Sequence, residues 1–355
     1  MKPGPVSTGG LVFRAFELAR ELPEARAMAE EAWRRDYRRK AYLDLFDERF
    51  CALNFEVPGA FGYRPLAWGV YEGDRIVGFA AGVPRRIRVR GRELDTYVVG
   101  WLTVHARHRR RGIATMLYER AYEELHSSHD GAFMFLDKGH ASTLVFDRLE
   151  QDRPTHVIVG KVSIALRVLD AAGFFRATPL HWYERAYLGL RHRRPEFAED
   201  PAARPYRPGD LDACLDLSRR IAADVCRLWD REELGHHLAH SETIVHESGG
   251  RVRGFVNCVV IRQLGLEARD IALLETVATG DLDTGAATRL VGAALAGVRD
   301  KGCIAALEFD WRYFDRAILR GCGFFLAPRD VYLSFLVGRE RLEGFRARTV
   351  YLDWR

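Results

Sequence analysis

Apolar and polar residues alternate, or apolar ones run together in short blocks, over Ala67–Tyr71, Arg75–Val83 and Arg86–Val89. Turn residues punctuate them at Glu72-Gly73-Asp74 and again at Arg90-Gly91-Arg92. A period of two with glycine at the breaks predicts a meander of antiparallel strands. Asp95–Val104 reads as the next strand, and a central one. The period then changes: Ile113, Met116, Leu117, Tyr118, Ala121 and Leu125 recur at helical spacing, which predicts a helix from Ile113 to Leu125. Ala132–Leu136 is a short apolar strand, and Pro23–Leu53 reads as one or two helices.

The pattern stops near Gly189. Arg191-His192-Arg193-Arg194-Pro195, with Pro201 and Pro205, marks residues 189–203 as a linker. A strand then restarts at Arg204, Pro208-Gly209 turns the chain, and Asp210 is placed as the N-cap of a helix carrying Leu211 and Leu215. The halves on either side resemble each other. Leu102–Leu117 and Glu275–Leu290 share Thr, Val, Gly, Ala, Thr and Leu at an offset of 173 (275 minus 102). Arg75-Ile76-Val77-Gly78-Phe79 answers Arg251-Val252-Arg253-Gly254-Phe255. Ala172-Gly173-Phe174-Phe175 answers Cys322-Gly323-Phe324-Phe325 at an offset of 150 (324 minus 174), which implies an insertion of 23 residues (173 minus 150) within His140–Gly160. The sequence is read as a diverged tandem duplication: a disordered tail over 1–10, a domain over 11–188, the linker, and a second domain over 204–355.

Composition narrows the function. The chain has 355 residues and 48% hydrophobic residues, enough for large cores, which excludes a disordered or collagen-like chain. Lys+Arg 54 against Asp+Glu 49 leaves +5, too mild for a dedicated nucleic-acid binder but compatible with an anionic ligand. Nearly all the cations are arginine, whose planar fork suits phosphate, although coding bias produces the same skew. Six cysteines without a C-x-x-C pair read as reduced core thiols. With no signal-peptide core and no apolar run of bilayer length, a cytoplasmic protein without a membrane partner is expected. His236, His237 and His240 lack the His-Glu-x-x-His pattern and read as an exposed helix face, so no metal is expected. Arg85, Arg86, Arg88, Arg90 and Arg92 read as the outer face of a hairpin.

The stretch that carries chemistry is Val104–Leu117. A strand ends, Arg109-Arg110-Arg111-Gly112-Ile113-Ala114 follows, and a helix begins. Gly112 and Ala114 keep side-chain bulk away, so main-chain N–H groups at the helix start converge on an anion, and the helix dipole and guanidinium groups add to its attraction. In physical terms this is a pyrophosphate site.

Val104-His105-Ala106-Arg107-His108-Arg109-Arg110-Arg111-Gly112-Ile113-Ala114 resembles the acetyl-CoA motif of the GNAT superfamily of N-acetyltransferases, Arg/Gln-x-x-Gly-x-Gly/Ala. The strand order fits, and Lys161–Ala172, ending in Gly173-Phe174, resembles that family's second cofactor-side helix. The fold implied is α/β (α+β): two tandem GNAT-like domains, each a mixed, mainly antiparallel twisted sheet flanked by helices. By this resemblance, main-chain groups of Leu102, Thr103 and Val104 pair with the pantetheine arm and acyl carbonyl. Arg109, Arg110, Arg111, Gly112, Ile113, Ala114 and Thr115 hold the pyrophosphate. The activity implied is N-acetyl transfer from acetyl-CoA, or another acyl-CoA, to a small-molecule amine, the substrate amine attacking the thioester directly. Homo-oligomerisation stays open.

The sequence departs from the family where a tyrosine often serves as acid, five residues before the Phe of Gly-Phe: Leu169 and Leu319 stand there. Tyr183, His181, Tyr97 or water is left as proton donor. Asp137 is the nearest carboxylate to the expected cleft, as base or substrate ligand, the alternative being a cap of the next turn. His105 reads as a polar surface residue. In the second copy Leu282, Asp283 and Thr284 replace the three arginines, and Asp281 and Asp283 oppose a pyrophosphate. One cofactor per chain is therefore expected. Two rivals remain: a non-catalytic acyl-CoA-binding or regulatory protein, and a nucleic-acid or protein-binding module using the basic loop.

Overall fold

The structure, a computed structural model, describes residues 6–8, 10–37, 40–57, 60–137, 157–191, 197–337, 342 and 344–353. The first half comprises β1 (Val6–Thr8), β2 (Leu11–Ala15), α1 (Leu18–Asp36), β3 (Tyr42–Leu43), α2 (Glu48–Phe55), β4 (Leu66–Glu72), β5 (Arg75–Val89), β6 (Arg92–Val104), α3 (Ile113–Ser128), β7 (Gly131–Asp137), β8 (Val157–Val168), α4 (Ala171–Ala177) and α5 (Trp182–Arg191). The second comprises β9 (Ala203–Pro205), α6 (Leu211–Arg219), β10 (Val225–Leu228), α7 (Arg231–Ala239), β11 (Glu242–Ser248), β12 (Arg251–Leu264), β13 (Arg269–Ala278), α8 (Thr284–Asp300), β14 (Ala305–Phe309), α9 (Arg316–Gly321), β15 (Phe325–Val337) and β16 (Val350–Tyr351).

The meander forms as its alternation predicts, but Arg75–Val83 and Arg86–Val89 are one continuous strand, β5, running through Pro84. Pro84 has no N–H to give, and none is needed: pairing with β4 ends at Gly82, and pairing with β10 begins at Arg86. Residues Val6–Thr8, inside the tail expected to be disordered, form β1 and pair antiparallel with β2.

The described sheet does not divide the chain into two discrete domains. One continuous sheet runs β1-β2-β4-β5-β6-β7-β15-β8-β14-β13-β12-β11-β9. At its centre the halves trade strands. β15, from the second half, pairs antiparallel with β7, while β8, from the first, pairs antiparallel with β14. β8 and β15 also pair with each other. A second exchange matches it: β10 adds to β5, and β3 adds to β12. One apolar core accordingly runs from Phe16 and Phe50 through Trp101 and Phe133 to Phe309, Phe335 and Leu352. Neither half can separate without exposing it.

This exchange corrects two sequence readings. Val157–Val168, which contains most of the expected helix Lys161–Ala172, is β8, a strand flanked on both sides, and its β-branched residues suit that position. The Gly-Phe-Phe landmarks are not equivalent: Gly173-Phe174-Phe175 lies in α4, and Cys322-Gly323-Phe324 turns from α9 into β15. β14 begins 174 residues after β7 (305 minus 131) and β15 begins 168 after β8 (325 minus 157), so no insertion of 23 separates them. Asp210 does precede α6, yet its carboxylate accepts from Arg207 N–H at 2.8 Å and from Arg204 at 2.7 and 2.9 Å rather than capping that helix.

Arg85 is not on an outer face. It is 1% exposed, its Nε donating to Asp353 at 2.9 Å. Arg227 of β10 lies 2.6 Å from both Asp353 and Glu233. Two guanidinium groups and two carboxylates, all buried, thus join β5, β10, α7 and the C-terminal segment. Removing one charge from such a set strands another in a low-dielectric interior. Asp353→Ala is expected to lower the unfolding free energy by about 3–5 kcal/mol, read from urea denaturation; a loss below about 1 kcal/mol would contradict the burial.

Candidate active site

The site begins with a strand pair that parts. β6 and β7 pair in parallel only over Thr96–Val98 and Gly131–Phe133. Beyond Val98, no described strand lies against β6 on that side. Its other edge stays paired with β5 through a bulge: Ala81 faces Gly100 and Phe79 faces Thr103, three steps against two. Trp101, at the bulge, has φ +55°. Its indole is buried against Phe50 and Phe55 and donates to Leu45 O at 2.9 Å. Leu102, Thr103 and Val104 therefore follow the bulge along the open edge. Leu102 and Val104 are half-buried, and Thr103 is buried with its hydroxyl donating to Trp101 O.

The chain then turns onto α3. Arg110 (φ +63°) and Gly112 (φ +77°) both take the left-handed conformation, and Gly112 is the N-cap without a capping side chain. A Cβ at Gly112 would meet nothing within 4 Å, so this face of the turn is open. The first-turn N–H groups of a helix have no intrahelical acceptors. Here they belong to Ile113, Ala114 and Thr115, with Ile113 buried and the other two half-buried. The helix is seated by Gly78 of β5, where a Cβ would come within 2.4 Å of Ile113 Cγ2. The glycine brings the α3 N-terminus down to the sheet, next to the open edge of β6.

The three arginines divide. Arg109 makes a bidentate pair with Asp36 of α1, both contacts at 2.7 Å. Arg111 bonds Glu72 and His108, each at 2.8 Å, and holds the Glu72 carboxyl below its usual range. Arg110 and Arg107 are exposed and have no ion pair among the described contacts. Arg107 also lines a surface cleft with Glu31, Arg34, Arg35 and Ala106. Arg109 and Arg111 at the rim of the turn are thus already paired with carboxylates, which leaves the main-chain N–H groups of the first helical turn as its donors without a described partner.

His105 is a buried residue, not a surface one, at 2% exposure. Its Nδ1 accepts from Arg107 N–H at 3.3 Å, capping the 3-10 turn over Ala106–His108. Its Nε2 faces Arg75 at 3.2 Å and Glu31 at 3.4 Å. Sequence reasoning missed this role because polarity alone does not distinguish a cap from a surface ring. Asp137 closes β7, its main chain opposite Val331, and its side chain lies outside the described residues. Tyr183 sits 55% exposed on α5 against His181 and Trp182, and no described contact brings it to the turn. Tyr97 donates its hydroxyl to Arg64 O at 3.0 Å.

The second half repeats this architecture and closes it. β13 and β14 pair over Ala272–Leu274 and Ala306–Glu308, then part, and β13 bulges at Glu275. There Val277, the counterpart of Val104, donates its N–H to the Tyr313 hydroxyl at 2.8 Å. Tyr351, Trp229 and Thr276 are hydrogen-bonded around it. Glu308 is buried, one oxygen without a partner, and burial raises its carboxyl well above the usual range. The start of α8 is occupied as well: Asp283 accepts from Ala286 N–H at 2.7 Å. No tyrosine occurs between β7 and β8.

Histidines 236, 237 and 240 do not form one exposed face. His237 is buried against Asn257 and Glu275, at 2.9 and 3.3 Å. Among the described residues, no group of three side chains is placed to hold a metal. The six cysteines are free and buried. No described helix is long and apolar enough to cross a membrane.

Comparison with known proteins bears on the fold. Residues 60–136 match the model of the acetyltransferase (GNAT) domain, a segment that runs from before β4 through nearly all of β7. No curated protein matches the sequence. Among solved structures, Saccharomyces cerevisiae N-myristoyltransferase with bound myristoyl-CoA is similar at a TM-score of 0.74 and 14% identity, covering 99% of this chain and 82% of that one. A putative acetyltransferase from Pyrococcus horikoshii is similar at 0.55 and 11%, covering 98% and 96%. An Enterococcus faecalis V583 protein described as a probable N-acyltransferase is similar at 0.53 and 10%, covering 93% and 73%. The chain has a GNAT-like fold, and residues 60–136 match the GNAT domain itself.

His105 yields a pH test. Burial, Arg75 and His108 lower its pKa from the ordinary imidazole value, with Glu31 opposing. A ring whose folded pKa is depressed stabilises fully above the unfolded value and loses that contribution as pH falls through the interval. Thermal stability is expected to drop as pH falls below about 6.5. His105→Asn, which keeps an acceptor but does not titrate, should make that drop shallower; parallel profiles would contradict the capping role.

Proposed function

We propose that the protein is an acyl-CoA-dependent N-acyltransferase that transfers acetyl from acetyl-CoA to the amine of a small molecule. One observation carries the reading: the parted strands and uncapped helix start are open in the described first half and plugged by Tyr313 and Asp283 in the second. In this reading residues 11–188 supply the cofactor site, and 204–355 complete the acceptor site. The main-chain N–H groups of Gly112, Ile113, Ala114 and Thr115 hold the diphosphate; Arg110 adds charge around it, and Arg109 and Arg111 do so on exchanging Asp36 and Glu72 for the phosphate oxygens. The edge of Leu102–Val104 pairs with the pantetheine amides.

The cofactor supplies a thioester carbonyl. The acceptor nitrogen attacks that carbon, an N–C bond forms, the C–S bond breaks, and the thiolate leaves with the bonding electron pair. The amine proton passes to a base, a role we assign to Asp137 from its place at the end of β7, where the strands have parted. Water protonates the thiolate, since no described contact places Tyr183 there and the hydroxyl of Tyr97 is engaged elsewhere. One observation supports a short acyl group: the matched GNAT domain model. The myristoyl-CoA in the yeast structure supports a coenzyme A thioester as ligand.

Acetyl-CoA is expected to raise the melting temperature and to titrate at one site per chain. Gly112→Val, which forces a β-branched residue into the left-handed region, should weaken binding at least about tenfold. Two sites, or none, would contradict the reading. Thiol release with a panel of amines tests catalysis, and Asp137→Asn should lower kcat by about 10²–10⁴-fold. Binding without release for any amine would favour a non-catalytic acyl-CoA-binding protein.

A further inference from the structure

A cleft of about 420 Å³ opens between the last turns of α1 and the short turn that follows β6, lined by Glu31, Arg34, Arg35, Ala106 and Arg107. Glu31, Arg34 and Arg35 share one face of α1, because positions i, i+3 and i+4 are neighbours on a helix. Arg107 comes from the opposite wall. Both walls are tied from behind by the buried ring of His105: its Nδ1 accepts from Arg107 N–H at 3.3 Å, and its Nε2 lies 3.4 Å from Glu31. The bidentate pair of Arg109 with Asp36 joins the same two elements a second time. The spacing of the walls is therefore set by contacts that do not use the three lining arginines.

Three guanidinium groups and one carboxylate give the cleft a charge of +2 (3 minus 1). Arg34 has Glu30 at 3.5 Å, while Arg35 and Arg107 are exposed and have no ion pair among the described contacts. Cations in the last turn of a helix complement its dipole. That accounts for Arg34 and Arg35 but not for Arg107 on the facing wall. Like charges gathered in one concavity attract an anion into it. A phosphate monoester carries about −1.5 to −2 at neutral pH and offers three acceptor oxygens, which matches three arginines; a carboxylate or a phosphodiester brings only a single charge. We propose that this cleft binds a phosphate monoester, separately from the diphosphate turn at residues 112–115. Its source rests on the acyl-CoA reading: the ribose of coenzyme A carries such a phosphate on its 3′ oxygen. The cleft adjoins the diphosphate turn, since Asp36, next to Arg35, pairs with Arg109, two residues past Arg107.

Calorimetric titration of the full chain with coenzyme A and with 3′-dephospho-coenzyme A tests this. Coenzyme A should bind about 10- to 100-fold more tightly, through charged hydrogen bonds to the one extra phosphate. Arg35→Gln with Arg107→Gln should close that gap by weakening coenzyme A alone, without lowering the melting temperature of the free protein. Arg110→Gln, at the diphosphate turn, should weaken both ligands and keep the gap. Inorganic phosphate probes the cleft without any cofactor. It should raise the melting temperature above that in chloride at equal ionic strength, and the double variant should lose the rise. Equal binding of the two cofactors with a phosphate response that depends on Arg35 and Arg107 would support the site and assign its phosphate to another molecule. Equal binding without that response, or a gap that the double variant retains, would overturn the proposal and leave the acyltransferase reading standing. Failure of both cofactors to bind would overturn the acyltransferase reading, and the phosphate response alone would then decide for or against the cleft.

Discussion

A parallel strand pair that stops after three residues leaves main-chain groups facing a gap, and buried main-chain groups require partners. That requirement organises the molecule twice. In the second half, the hydroxyl of Tyr313 meets Val277 and the carboxylate of Asp283 meets the start of α8, so the gap and the helix end are closed by the chain itself. In the first half, the corresponding edge ends at Val104 and the helix starts on a glycine without a cap. The same geometry is closed by the chain's own side chains in one place and is met by none of them, among the described residues, in the other.

The strand exchange makes this asymmetry possible. β15 completes the sheet next to β7, and β8 completes it next to β14. Each half thus depends on a strand from the other, and the aromatic floor near the parted strands mixes Phe135 from the first half with Trp311 from the second, 5.6 Å apart. The buried set of Arg85, Arg227, Glu233 and Asp353 couples the halves by charge as well as by apolar contact. The second half is therefore a structural part of the first.

Much of this was legible in the sequence. The meander, the central strand, α3 and the turn before it follow from short-range periodicity and glycine placement, which neighbouring residues decide. The difference between the two helix starts was legible too, since Leu282, Asp283 and Thr284 stand where the first half has three arginines, and Asp283 caps α8. What was not legible depends on distant partners. Val157–Val168 carries apolar spacing that suits a helix until β14 and β15 flank it. The Gly-Phe-Phe matches imitate equivalence because short apolar motifs recur by chance in unlike settings. Arg85 looks like its exposed neighbours until Asp353, 268 residues away, is placed against it. Tyr313 carries no signal as a plug before the fold brings it to Val277.

The account stands on main-chain amides at Gly112–Thr115 and on the open edge of Leu102–Val104. A crystal structure of the protein grown with acetyl-CoA tests both at once. The diphosphate is expected within hydrogen-bonding distance of the N–H groups of residues 112–115, with the pantetheine arm paired along β6 and no cofactor at Asp283. A diphosphate bound at the start of α8, or a thioester held away from β6, would contradict it.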